Sequence, residues 1–370
     1  MIRHFCDWNA GNPLDPRVLE AMRPFLEANH GNPSSLHSEG RLARRAVEEA
    51  RSSVAEFAGV DARDVVFTSG ATESNHLAVT TFRDGPWLVS AIEHPCMLAA
   101  VDRRGQAERI PVAASGVIDL GFVNRRLVAQ LGGVAVMGAN NETGVIQPVR
   151  EVAHICAVHG VPLHVDASQV PLRARFDWPE GATTASFSAH KMRGPKGVGA
   201  LVIRPGSKVI PMLAGGSQER ERRAGTENVA GIVGFGVAAR FARQESVERV
   251  ALLAQLDAMF LKALKDQGVS FELHGHGPER LPGALAIRFM GVSGEGMVMG
   301  LDLEGVAIGL GSACSSGAAR PSPVLAAMGV GKQENLETVR FSFGPTQSEA
   351  DMLAVASKVS LVVKRVSCRV

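Results

Sequence analysis

Tyrosine is absent from this 370-residue chain, aromatic residues make up only 5 %, and cysteine occurs five times. The missing tyrosine removes the phenol from the available proton-bearing groups, an omission for which we have no physical account. The cysteines stand at 6, 96, 156, 314 and 368, an odd number with no C-x-x-C pair. That argues against both a disulfide framework and a zinc site. No long apolar run is present: the longest, Val229 to Phe241, is broken by Gly231, Gly234 and Gly236 and is too short to span a bilayer. Neither sign of charge is blocked, and a formal charge of +2 with scattered Lys and Arg excludes the basic footprint of a nucleic-acid binder. The opening Met1-Ile2-Arg3-His4-Phe5-Cys6-Asp7 lacks the apolar core of a secretory signal. A cytoplasmic protein with reduced thiols is the expectation. Internal repeats and low-complexity tracts are also missing.

What is there is an ordinary globular composition, 45 % hydrophobic and 21 % charged, with 40 glycines available for tight turns and close backbone approaches. Short apolar runs predict strands at Val65-Phe67, Trp87-Ser90, Val134-Met137, Val161-Val165, Ala185-Ser188 and Gly199-Ile203. Helical patterns lie between them, at Leu42 to Phe57, Val123 to Leu131, and Val149 to His159, the last closed by Gly160. Such alternation predicts an α/β fold with a mostly parallel sheet covered by helices. The character changes near residue 245, where a helical pattern over Val247 to Gln267 leads into Phe271-His274, Leu285-Phe289 and the Gly-rich Gly305 to Gly317. The expectation is a large domain over 15–245 and a smaller α+β domain formed by 246–370 with the arm 1–14.

Two stretches carry the chemistry. His164-Val165-Asp166-Ala167-Ser168-Gln169 ends one predicted strand on an aspartate, and Ser186-Phe187-Ser188-Ala189-His190-Lys191 ends another on a lysine. Ligands of open α/β sheets sit at the carboxyl ends of strands, so an amine and a carboxylate share one crevice. An imine-forming amine with an acid to pair with a pyridinium nitrogen is the protein's part of a pyridoxal phosphate site. Lys191 must lose its proton to attack an aldehyde, and desolvation lowers its affinity for that proton. Its small polar neighbours are unlike the solvated face on which most lysines lie, which assigns it as the imine-forming residue. Asp166 follows an apolar strand, where an unpaired charge is costly and a protonated ring nitrogen would be its partner.

Thr68-Ser69-Gly70-Ala71-Thr72-Glu73 reads as strand, turn and helix start. It fits a phosphate site of freed backbone N–H groups and hydroxyls, or a plain N-cap. Gln169 and Asn141 fit hydrogen bonding to a ring hydroxyl or turn-stabilising amides in equal measure. His94 follows the strand Trp87-Ser90 and is either a ring-stacking, proton-moving imidazole or a structural histidine. Cys314 lies in Gly311-Ser312-Ala313-Cys314-Ser315-Ser316-Gly317, small residues with little to pack, as a deliverable nucleophile requires. Cys156 and Cys96 read as buried structural thiols. His274-Gly275-His276 reads as exposed turn residues rather than a metal site, and Asn141-Glu142-Thr143 as a fortuitous glycosylation match.

Together these motifs resemble the cysteine desulfurases of the nitrogen-fixation and iron–sulfur assembly type, in the class V aminotransferase superfamily of pyridoxal phosphate fold type I. The likeness runs through Gly31-Asn32-Pro33-Ser34-Ser35, Thr68 to Ser74, Glu93-His94, Asn140 to Gly144, His164 to Gln169 and Ser186 to Lys191. It continues through Gly215 to Arg220, Arg223 to Val229, Gly311 to Gly317 and Arg340-Phe341-Ser342.

The resemblance implies that Ala71, Thr72, Ser188 and His190 hold the phosphate of pyridoxal 5'-phosphate, and that Thr226 reaches the other subunit's cofactor in a homodimer. It implies that Asp166 meets the ring nitrogen, Gln169 and Asn141 the ring oxygen, that His94 stacks, and that Arg340 clamps the substrate carboxylate. The implied reaction has L-cysteine displace Lys191, which then shuttles the Cα proton. The Cys314 thiolate attacks the substrate sulfur, and L-alanine and a Cys314 persulfide result. The sulfur passes on to an acceptor protein, such as a cluster scaffold or a tRNA-thiolation protein. Where such relatives carry Ala-Thr-Thr-Pro near the start, this chain has Trp8-Asn9-Ala10-Gly11-Asn12-Pro13, and its end at Cys368-Arg369-Val370 is short. The alternative on the same scaffold is a selenocysteine lyase or another class V aminotransferase or lyase, which needs no Cys314. A non-catalytic subunit is the alternative outside enzymes.

Overall fold

The computed structural model describes residues 3–311 and 320–367. Cys314 and Cys368 lie outside the described residues. In chain order the first part of the chain forms β1 (His4–Phe5), α1 (Pro16–Glu27), α2 (Ser38–Ala58), β2 (Val65–Thr68), α3 (Ala71–Thr81), β3 (Trp87–Ser90), α4 (Pro95–Asp102) and β4 (Ala107–Ile110). There follow α5 (Leu120–Arg126), β5 (Gly133–Met137), α6 (Val149–Val158), β6 (Leu163–Asp166), β7 (Thr184–Ser188), β8 (Gly199–Ile203), α7 (Val229–Gln244) and α8 (Ser246–Asp266). The remainder forms β9 (Glu272–His274), β10 (Ala284–Arg288), α9 (Gly294–Leu303), β11 (Val306–Ala307), β12 (Gly309–Leu310), α10 (Pro323–Ala327), α11 (Lys332–Leu336), β13 (Thr338–Ser342) and α12 (Glu349–Ser367).

Among the described residues a seven-stranded sheet has the order β2-β8-β7-β6-β5-β3-β4. Only β8 runs against its neighbours; β2, on its far side, points the same way as β7. The carboxyl ends of β2, β3, β5, β6 and β7 therefore open on one edge. Every residue of these strands is buried, as expected of a sheet covered on both faces, where the sequence runs apolar instead of alternating. One core unites α2 and α7 with this sheet through Val47, Val54, Phe57, Val165, Phe187 and Phe235. Phe57, Phe176 and Phe187 meet edge-on or stacked at 4.8–6.3 Å between centroids, the offset geometries that aromatic quadrupoles favour.

A second, antiparallel sheet of order β12-β13-β10-β9 packs against α8, α9 and α12 around Phe260, Phe289, Phe341 and Phe343. The amino-terminal arm joins it: β1 pairs in parallel with β11, and Asp7 bridges to Ser342.

Several elements differ from the sequence reading. The pattern over Val123 to Leu131 ends as a helix at Arg126, and Leu127 is extended (ψ 115°). The carbonyls of Ala129 and Leu131 accept from the Arg83 guanidinium at 2.6 and 2.8 Å, which draws them out of a helical ladder. The strand read as Val161-Val165 begins at Leu163 and continues to Asp166. β4 escaped notice because at the sheet edge it buries only Ile110, and its Glu108 and Arg109 break the apolar run.

Candidate functional site

The strand ends surround a cavity of about 780 Å³, lined by Ala71, Thr72, His94, Asn141, Asp166, Gln169, Ser188, His190, Lys191 and Arg340 among others. These side chains come from six separate parts of the chain, each delivered by the turn after a strand or by the second sheet.

α3 begins directly after β2, with Gly70 at φ +154°, a conformation that only glycine adopts readily. A Cβ on Gly199 would lie 2.6 Å from the Gly70 Cα, so two glycines let β8 and the helix start touch backbone to backbone. No side chain of the described residues caps α3. Its first amide groups are thus free to bind an anion, with the helix dipole behind them. Opposite lie Ser188 Oγ and His190 Nδ1, 2.8 Å from each other. Burial, and then the Lys191 charge, lower His190 to about 4, so its imidazole is neutral.

Asp166 ends β6 and is 6 % exposed. Its Oδ2 accepts from Asn75 Nδ2 at 2.8 Å, and its Oδ1 from the Ser168 amide and hydroxyl at 3.0 and 2.6 Å. No cation of the described residues pairs with it. The sequence reading assigned no role to Asn75, which proves to be the hub beneath Asp166. Its Oδ1 faces His164 Nε2 at 2.9 Å and accepts from Ser186 Oγ at 2.5 Å. His164, fully buried and lowered to about 4 by desolvation, meets Thr184 Oγ1 with its other nitrogen at 2.8 Å. The signal available was a polar residue whose neighbours at helical spacing, Ala71, Thr72, Ala78 and Val79, are all small or apolar.

Lys191 follows β7 in a single helical turn, Ala189–Met192. Its amine donates to the carbonyls of Asn9 and, at 3.1 Å, Ala10. Burial first, then the Arg340 charge, bring the ammonium down to about 8. Gln169 Nε2 donates to the same Asn9 carbonyl at 3.3 Å. Asn9 and Ala10 of the amino-terminal arm are thus part of the cavity wall.

Arg340, on β13, crosses from the second sheet. It donates to Asp7 Oδ1 at 2.7 Å and to the Asn141 carbonyl at 3.2 Å, while its buried Nε has no partner among the described residues. Glu93 is buried beside Asp166, and both burial and that like charge push its carboxyl well above the usual range. One oxygen accepts from the Met137 amide at 2.6 Å; the other has no partner among the described residues.

Cys96 corrects the sequence reading. It is not a sequestered structural thiol: it is half-buried, lines the cavity, and lies 2.9 Å from His94 Nδ1. Helix α4 brings it there because Pro95 at the first turn fixes His94 as the N-cap.

Thr226 does not enter this cavity. With Ser69, Glu219 and Arg223 it lines a separate one of about 150 Å³. The segment leading to it holds Glu219, Arg220 and Glu221 in left-handed conformations (φ +49°, +57°, +65°). Glu219 is pinned beneath the sheet by Arg51 in two parallel bonds of 2.7 and 2.8 Å and by the Phe67 amide at 2.8 Å. Among the described residues no cluster of His, Cys, Asp and Glu is set to hold a metal, and His274 Nε2 instead faces Thr338 Oγ1 at 3.0 Å.

Residues 4–355 match the family model described as aminotransferase class-V, so the chain belongs to that family, whose members depend on pyridoxal phosphate. Within it the chain belongs to the cysteine desulfurases. It is 37 % identical to cysteine desulfurase IscS of Dictyoglomus turgidum, over 94 % of this chain and 91 % of the relative. It is 38 % identical to cysteine desulfurase IscS 1 of Archaeoglobus fulgidus, over 98 % and 97 % respectively. Among solved structures a NifS-like protein superposes with a TM-score of 0.91 at 31 % identity, covering 98 % of this chain and all of that one. A NifS-like protein of Rickettsia africae does so at 0.89 and 30 %.

Proposed function

We propose that this protein is a pyridoxal 5'-phosphate-dependent enzyme that removes sulfur from L-cysteine, giving L-alanine and a persulfide on Cys314. The observation that carries the reading is the convergence of Lys191 and the buried, cation-free Asp166 on one cavity beside an uncapped helix start. A carboxylate buried without a cation fits a group that brings a protonated nitrogen. The uncapped start of α3, with Ser188 and His190 opposite, fits a phosphate.

When bound, the cofactor supplies an aldehyde for amines and a ring that stores electrons. Ala71, Thr72, Ser188 and His190 would hold its phosphate, and Asp166, oriented by Asn75 and Ser168, would keep its ring nitrogen protonated. Gln169 and Asn141 would hydrogen-bond its ring oxygen, and His94 would stack on the ring. Lys191 would be the attachment amine and would then move the proton at the substrate Cα. A value near 8 leaves a usable fraction of that amine unprotonated at neutral pH. Arg340 grips the substrate carboxylate with its planar fork, and the unpartnered Nε is a donor in hand for it.

The Cys314 thiolate then forms the S–S bond as the substrate C–S bond breaks. The carbon keeps the electron pair and, once protonated, leaves as L-alanine. Cys314 lies outside the described residues, and its role rests on the motif. We assign 15–245 to a cofactor-holding domain, and 246–370 with the arm 1–14 to a domain that carries the cysteine. We also take the protein to be a cytoplasmic homodimer, in which Thr226 completes the partner's phosphate site and a separate acceptor protein receives the sulfur. No helix among the described residues is long and apolar enough to cross a membrane.

Mass spectrometry of the protein after incubation with cysteine tests the reading. One added sulfur mapped to Cys314, with alanine as product, is expected, and Cys314→Ala should keep the bound chromophore while losing sulfur transfer. Desulfuration retained by that variant would indicate a lyase or aminotransferase that does not use the thiol.

A further inference from the structure

We infer that Cys96 is a positioning residue that holds His94 as its Nε2–H tautomer, leaving that N–H directed to the cavity. The argument is an inventory of protons and lone pairs. His94 Nδ1 accepts from the Cys96 backbone N–H at 3.2 Å, so this nitrogen carries a lone pair and no proton. The Cys96 Sγ lies 2.9 Å from the same Nδ1. Sulfur in turn accepts from Asn75 Nδ2 at 3.3 Å and from the Thr72 hydroxyl. With its lone pairs facing these two donors, the thiol has its own S–H left for Nδ1. A neutral imidazole with an acceptor at Nδ1 carries its proton on Nε2.

Both groups stay in the forms this arrangement needs. Burial, with Asp166 adding to it, pushes the Cys96 thiol up to about 11. Burial also lowers His94, against the opposing pull of Asp166. The pair is therefore thiol and imidazole, and not thiolate and imidazolium. Asn75 spends its two amide protons on Asp166 and Cys96, so the same side chain orients the carboxylate below the site and the thiol behind the histidine. No described residue bonds His94 Nε2, which makes it a donor available inside the cavity.

The consequence for the reaction, which rests on the function proposed above, is that His94 first acts at Nε2 by donating a hydrogen bond. Removing the thiol leaves only the backbone N–H at Nδ1 to choose the tautomer.

The test is two-bond ¹H–¹⁵N correlation spectroscopy on the full chain with ¹⁵N-labelled histidine, with His94 assigned by its loss in His94→Gln. The expected result is a single Nε2–H pattern for His94 in the wild type and in Cys96→Ser, whose hydroxyl keeps a donor. Cys96→Ala should move both nitrogen shifts toward tautomer averaging. Cysteine desulfuration should fall about tenfold in kcat in Cys96→Ala with KM nearly unchanged, the loss of one hydrogen bond of about 1.4 kcal/mol, and Cys96→Ser should recover most of it. A wild-type His94 protonated at Nδ1, or Cys96→Ala nitrogen shifts equal to those of the wild type, would overturn the inference. A wild type that shows the expected tautomer but releases no alanine from cysteine would instead defeat the functional reading and leave the tautomer assignment standing.

Discussion

Replacing Glu219 by glutamine removes the negative half of a buried ion pair and asks what holds the left-handed segment that leads to Thr226. Arg51 and Glu219 are 3 % and 4 % exposed, and their two bonds are at 2.7 and 2.8 Å. Non-glycine residues in the left-handed region cost roughly 1–2 kcal/mol each, and here three are consecutive. Breaking a buried pair by removing one partner costs about 3–5 kcal/mol, because the other charge is left uncompensated. The lower half of that range is expected for Glu219→Gln, since Arg51 keeps Glu48 at 3.2 Å and the Val65 carbonyl at 3.0 Å. Arg51→Met should cost as much or more, for it strands a carboxylate.

The double variant Arg51→Met with Glu219→Leu leaves no buried charge. Its main debit is the Phe67 amide, which loses its 2.8 Å acceptor, about 1–3 kcal/mol. The losses in Arg51→Met and in Glu219→Leu taken singly should therefore sum to well more than the loss in the double variant, with a coupling of about 2 kcal/mol or more. Urea titration of Arg51→Met, Glu219→Leu, the double variant and the wild type measures this, provided the slopes agree. Additivity within about 0.5 kcal/mol would refute the reasoning and show that the segment is held by something other than this pair.

Two further outcomes follow from the electrostatics of the cavity. Uptake of pyridoxal phosphate by the cofactor-free protein should rise with pH through an inflection near the Lys191 value of about 8. Arg340→Gln removes a cation that lowers that value, so the inflection should move upward; an unmoved inflection would refute the coupling. Glu93 keeps its proton in the folded protein to a higher pH than in the unfolded chain. Its contribution to stability is thus complete below the ordinary glutamate value near 4.3 and is lost as pH rises toward the raised one, at up to about 1.4 kcal/mol per pH unit. Glu93→Gln does not titrate, so its stability relative to the wild type should grow with pH over that window in thermal melts. A constant difference would show that Glu93 is ionised in the fold.

Much of this site was legible because each strand run ends on its chemistry. Asp166 ends β6 and Lys191 follows β7 within one turn, and in a mostly parallel sheet the topology places such residues on one edge. Asn75 and Cys96 were not legible. They lie 91 and 70 residues from Asp166 in the chain, and only the packing of α3 against α4 brings them under the same carboxylate. Nor did local pattern show that Ala129 and Leu131 give their carbonyls to Arg83 instead of to a helix. Long-range side-chain hydrogen bonds leave no periodic trace.

The arm that meets Lys191 ties the two sheets mechanically. Within a few residues it pairs with β11, binds Arg340 through Asp7, and offers the Asn9 carbonyl to both Lys191 and Gln169. A fragment cut to 15–245 would retain the amine and the acid yet lose the carbonyl groups that aim the amine. Engineering this enzyme by exchanging modules at residue 245 would therefore have to carry the first fourteen residues with the graft, as a latch belonging to both halves.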